Sequence, residues 1–77
     1  PDGETHYLVG ELETHIIKAI DTLPPKCRTV FKLSRFEELS YKEIAERMEI
    51  SVKTVENQMS KALKVLRKEL RGYLSLF

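Results

Sequence analysis

Four polar side chains, Lys53, Asn57, Ser60 and Lys64, recur at intervals of four, three and four residues. That spacing puts them on one face of a helix. The face offers an amide, a hydroxyl and two ammonium groups, with Glu56 and Lys61 on its flanks. Such groups hydrogen-bond to base edges and phosphates in a DNA major groove. Asn57 has the bidentate geometry for adenine N6 and N7, and Glu56 can accept from cytosine N4 although it repels phosphate. Lys53, Glu56, Asn57 and Ser60 are therefore assigned to base edges. Lys61 and Lys64 are assigned to phosphate, with Ser40, Lys42, Ser51 and Thr54 at the two preceding helix starts, and Lys53 is expected to share in phosphate contact.

A polar face alone says only that a helix is amphipathic, which is common. The elements that would position this one decide more. Opposite it, Val55, Met59, Ala62 and Leu66 form an apolar stripe, which fixes the inward direction of a long helix restarting at about Val52 with Ser51 as N-cap. Eleven residues before Ser51, Ser40 stands three before Glu43, the signature of a capping box. The helix that it opens, about 41–48, has room for only about two turns. Its inner side carries Tyr41, Ile44, Ala45 and Met48, and the small Ala45 permits close approach of another helix. Met48-Glu49-Ile50 makes the corner, with Ile50 turned back as a plug. Glu49 stands where glycine would be easier, so the turn carries a backbone cost. A short helix, a tight corner and a long second helix form a helix-turn-helix, in which the first element props the second outward. Ile44, Ala45, Met48, Ile50, Val55 and Met59 are its expected core.

The rest of the chain also reads as helix. Residues of about 5–21 place Leu8, Leu12, Ile16, Ala19, Ile20 and Leu23 on one side, weakened slightly by Gly10. Pro24-Pro25 ends that helix and starts another. The second runs to about Phe36 with Cys27, Val30, Phe31 and Ser34 along a stripe. No segment alternates with period two for long enough to make a strand. The expected fold is an all-α bundle of four to five helices containing the helix-turn-helix, winged-helix-like with no wing, over residues 1–77 as a single domain.

Composition agrees with a small folded domain: 77 residues, 42% hydrophobic. The net charge of +1 conceals an asymmetry. Residues 1–23 hold five acids and one base, a balance of −4, whereas residues 24–77 hold twelve bases and seven acids, a balance of +5. That split points to an anionic partner for the second part. No apolar run approaches the roughly 20 residues that span a bilayer. One cysteine makes no internal disulfide, which fits a reducing compartment and an expected cytoplasmic location. The chain does not begin with Met and is expected to be a piece of a longer protein. His6 and His15 lie nine residues apart with no cysteine beside them, so no metal site is expected. Cys27 has apolar stripe partners and is expected to pack rather than react. No phosphate loop or catalytic carboxylate pair is present, so neither an enzyme nor a cofactor is expected.

The block LPPKCRTVFKLSRFEELSYKEIAERMEISVKTVENQMSKALKVLRKEL resembles region four of bacterial extracytoplasmic-function sigma factors. The resemblance rests on Leu23-Pro24, Arg28, Val30-Phe31, Leu39 to Ala45, Ile50-Ser51, Thr54-Val55 and Leu66-Arg67. It covers about residues 23–70, and the acidic helix before them fits the family's first region-four helix. The resemblance implies recognition of the −35 element of double-stranded promoter DNA and contact with the flap of the RNA polymerase beta subunit. It also admits an anti-sigma factor as a partner. The chain departs from the family at Glu49, where glycine is frequent, and at Glu56, where a basic residue is frequent. Nothing in it resembles region two, which opens DNA in these proteins, so this chain alone is not expected to initiate transcription.

Two other readings compete. The output domain of LuxR-type response regulators shares a core like KEIA…ISVKTV, but Leu23-Pro24-Pro25 and Glu37-Glu38 favour the sigma pattern. A helical protein-interaction module without DNA binding would use the apolar end, Tyr73, Leu74, Leu76 and Phe77.

Overall fold

A computed structural model of the chain describes residues 2–71, with side chains from residue 10 onward. His6, Leu8 and the apolar residues Tyr73, Leu74, Leu76 and Phe77 lie outside the described side chains. Four helices follow one another: α1 (Asp2–Asp21), α2 (Pro25–Arg35), α3 (Tyr41–Met48) and α4 (Val52–Glu69). Among the described residues there is no strand. The architecture is the expected all-α one, with α1 starting three residues earlier than its periodicity alone indicates.

Local chemistry explains each boundary. The N–H groups of Thr22 and Leu23 donate to the carbonyls of Ala19 and Ile20 at 3.1 Å each, tightening the last turn of α1. Pro24 then sits extended at the N-cap, and Pro25 opens α2 where its missing N–H is no loss. At the other end of α2 the chain folds back on itself: Phe36 donates to Lys32, and Leu39 to the Leu33 carbonyl at 3.1 Å. Glu38, at φ 54°, makes that reversal.

The capping box at α3 is complete. The Glu43 N–H donates to Ser40 Oγ at 3.1 Å, and the Ser40 N–H to Glu43 Oε1 at 2.9 Å. Accepting the Ser40 N–H, with the Ser40 hydroxyl adding to it, holds the Glu43 carboxyl below the usual glutamate range. The lowered value means that this cap contributes at neutral pH and is lost as pH falls through the folded-state value.

The corner after α3 bends through Glu49, left-handed at φ 56° and ψ 46°. The next N–H, that of Ile50, reaches back to the Ala45 carbonyl at 3.0 Å, which is the Schellman arrangement. The strain expected from a non-glycine residue here is therefore present. Glu49→Gly should relieve it and raise stability by about 0.5–1 kcal/mol, net of glycine's greater unfolded-state freedom. A thermal melt should show the variant a few degrees above the parent. A lower melting temperature would mean that the Glu49 side chain contributes more than its backbone costs.

The core gathers Ala19, Ile20 and Leu23 from α1 and its end, Cys27, Val30, Phe31 and Leu33 from α2, Ile44 and Ala45 from α3, and Val55, Met59, Ala62 and Leu66 along α4 with Leu70 at its C-cap. Helix α4 touches all three others and so serves as the spine of the domain. Leu12, Ile16, Met48 and Ile50 are half-buried at the margin. Two side chains depart from their expected places. Tyr41, expected inward, is 37% exposed: it is the first residue of α3, at the end of that helix away from the corner. Leu33, off the expected α2 stripe, is buried because the reversal at 36–39 folds over it.

Candidate nucleic-acid interface

Helix α4 starts at the corner, and its first turn is built to stay open. Ser51 caps it by accepting the Thr54 N–H at 3.0 Å, and the Ser51 and Thr54 hydroxyls bond to each other at 2.9 Å. One hydroxyl hydrogen of that pair is left to donate elsewhere. No acid lies in the first turn, so the positive end of the helix dipole is not neutralised from within. The N-cap of α3 differs: there Glu43 supplies the counter-charge itself.

Burial along α4 separates two faces. Val55 and Ala62 are fully buried, and Met59 and Leu66 nearly so. Lys53, Glu56, Asn57, Ser60, Lys61 and Lys64 are all exposed. Every residue assigned to base edges thus lies on solvent-facing helix, clear of the core. Lys42, on α3, is exposed too, as are Ser40 and Ser51, whereas Thr54 is half-buried. Ser40, Ser51 and Thr54 spend part of their hydrogen-bonding capacity on the two caps.

The scaffold behind this face is fixed by packing. Ala45 is 6% exposed and Ile44 fully buried where α3 meets α4. On the opposite flank, the Cys27 thiol donates to the Gln58 carbonyl at 3.3 Å, tying α2 to the middle of α4. Burial pushes the Cys27 pKa up, only partly offset by the Lys61 charge, which leaves the thiol protonated and inert. Arg28 braces the α1–α2 turn through Nη2 to the Leu23 carbonyl at 3.3 Å. Arg47 and Glu37 form an exposed pair at 3.4 Å between α3 and the preceding reversal, the kind worth little in stability.

Two features escape a reading by motif. The Cys27–Gln58 bond joins residues 31 apart in sequence and has no local signal. The second is a run of bases, Arg67, Lys68 and Arg71, which with Lys64 lines a shallow groove at the far end of α4. Its signal was available, since the spacing from Lys64 repeats every three or four residues. Among the described residues, no group of three side chains could hold a metal ion, and no helix is long and apolar enough to cross a membrane. His15 Nδ1 pairs with the Glu11 carbonyl at 3.1 Å.

A short prop helix anchored by Ile44 and Ala45, a left-handed corner and a long helix with an exposed amide-and-lysine face define a helix-turn-helix domain. Residues 15–66 match the family described as Sigma-70, region 4, and the chain belongs to that family. It is similar to RNA polymerase sigma factor FliA of Yersinia enterocolitica, with 38% identity over 87% of this chain and 29% of the relative. It is also similar to the ECF RNA polymerase sigma factor SigW of Bacillus subtilis, with 43% identity over 79% of this chain and 33% of the relative. RNA polymerase sigma-H factor of Pseudomonas aeruginosa is 35% identical over 92% of this chain and 37% of its own length. The chain thus spans about a third of the length of the curated relatives it matches.

Proposed function

We propose that residues 1–77 act as one domain of a sigma factor of the extracytoplasmic-function type, reading the −35 element of promoter DNA in the cytoplasm. The observation that carries this reading is the division of α4 into a buried stripe and an exposed face of Lys53, Glu56, Asn57, Ser60, Lys61 and Lys64. With α3 held behind it, α4 enters the major groove, and Asn57 and its neighbours meet base edges. Lys61 and Lys64 meet the flanking phosphates, joined by Lys42 and by Ser40, Ser51 and Thr54 at the helix starts. Lys53, at the tip, meets both. The curated relatives are named as RNA polymerase sigma factors, which supports polymerase core as the protein partner, at the flap of its beta subunit. An anti-sigma factor would be a second protein partner.

Binding to duplex DNA across a salt series tests this. If Lys53, Lys61 and Lys64 each neutralise one phosphate, they contribute a slope of about −2.7 in log affinity against log salt. Lys64→Ala should flatten the slope by about one unit on every sequence. A triple lysine variant with the parent's slope would remove the phosphate assignment.

A further inference from the structure

The far end of α4 carries more positive charge than the reading face uses. From residue 57 to residue 71 there are five bases, Lys61, Lys64, Arg67, Lys68 and Arg71, and one acid, Glu69. Lys64, Arg67, Lys68 and Arg71 line one groove. They are spaced as i, i+3, i+4 and i+7, so each repels its neighbours on the helix surface. No carboxylate among the described residues pairs with them. The negative end of the helix dipole attracts bases to the last turn, but that attraction acts on any side of the helix. At about 100° per residue, Arg67 and Lys68 fall within about 60° of the direction opposite Val55, and Arg71, just past the C-cap at Leu70, is exposed and shares their groove. They therefore continue the face of Lys53, Asn57 and Ser60.

We infer that Arg67, Lys68 and Arg71 form a separate phosphate clamp that grips the DNA backbone outside the base-read element. The inference rests on the proposed reading of α4 and adds to it a second contact. Distance makes the clamp separate. Arg67 and Lys68 lie 10 and 11 positions beyond Asn57, or about 15–17 Å at the helical rise, and Arg71 follows the end of α4. A major groove is about 12 Å wide, so a straight helix with Asn57 at the groove floor carries these residues past its walls. What lies there is backbone, and its charge complements theirs. Continuity with the reading face, with no intervening acid on that side, favours the same duplex over an acidic protein surface.

Two duplexes test the clamp. Both carry a site selected from a random library with this chain. One ends about 2 base pairs beyond the site, and the other extends about 10 base pairs on each side, long enough to hold backbone at about 3.4 Å per step. The chain and an Arg67→Gln/Lys68→Gln/Arg71→Gln variant are titrated on both across a salt series. The parent should show a steeper slope on the long duplex, by up to about 2.7 if all three side chains meet phosphate. The variant should lose that excess while keeping its affinity for the short duplex within about twofold, and it serves as the control for duplex-end effects. All three side chains are on the described, solvent-facing helix or its last exposed residue, and an unchanged thermal melt would show that the fold is kept. Equal losses on both duplexes, or none on either, would overturn the clamp and leave the base-reading proposal standing. Failure of the parent to bind the short duplex with any sequence preference would overturn both.

Discussion

Ala45→Leu lowers the stability of the chain by about 1–3 kcal/mol, the usual cost of overpacking a close contact. Ala45 is 6% exposed where α3 meets α4, and its carbonyl also accepts the Ile50 N–H that closes the corner. Three added carbons must either push α4 outward or unwind the corner. Val55→Ala removes two methyl groups from a fully buried site in the same contact and destabilises on a similar scale. In a domain this small that is a large share of total stability. Each lost kcal/mol should lower the melting temperature by about 4–8 °C. Lys53→Ala, two residues from Val55 on the exposed face, should weaken DNA binding while changing stability by less than about 0.5 kcal/mol. Circular-dichroism melts and duplex titrations of the three variants separate the two roles. If Ala45→Leu melts like the parent, the α3–α4 contact does not set the angle of α4, and the geometric basis for seating it in a groove is gone.

Asn57→Ala carries the second large effect. Its amide stands on the exposed face of α4 between the Lys53 tip and Ser60. A bidentate pair with adenine N6 and N7 discriminates against other bases by about 1–3 kcal/mol. The variant should lose that much on a selected site and lose its preference at one base position only. Titrating it against duplexes that carry each of the four bases at every position in turn reads both quantities. A loss of the same size on every duplex would assign Asn57 to the backbone instead of a base.

The helix boundaries were legible because they are set by neighbours in sequence. The Ser40–Glu43 box, the Ser51 cap and the Pro24-Pro25 break each act within one turn, so residue types at fixed offsets suffice to place them. The two faces of α4 followed for the same reason, since a period of 3.6 turns sequence spacing into direction. The strained corner at Glu49 was legible as well, because a tight turn favours positive φ and the chain supplies no glycine there.

How deep each inward residue lies was another matter. Tyr41 and Ile44 share a nominal face of α3, yet Tyr41 is 37% exposed and Ile44 is fully buried, because Ile44 reaches the common core and Tyr41 stands at the helix end. Leu33 is buried through a chain reversal that binds its carbonyl to Leu39, and Cys27 is fixed by a bond to Gln58 on another helix. Sequence alone determined where α2, α3 and α4 begin and which way their side chains point, because those are properties of single turns. Tertiary structure decided which of those directions meets another helix and which meets water, because burial depends on chain segments brought together only by the packing of α4 against the other three helices.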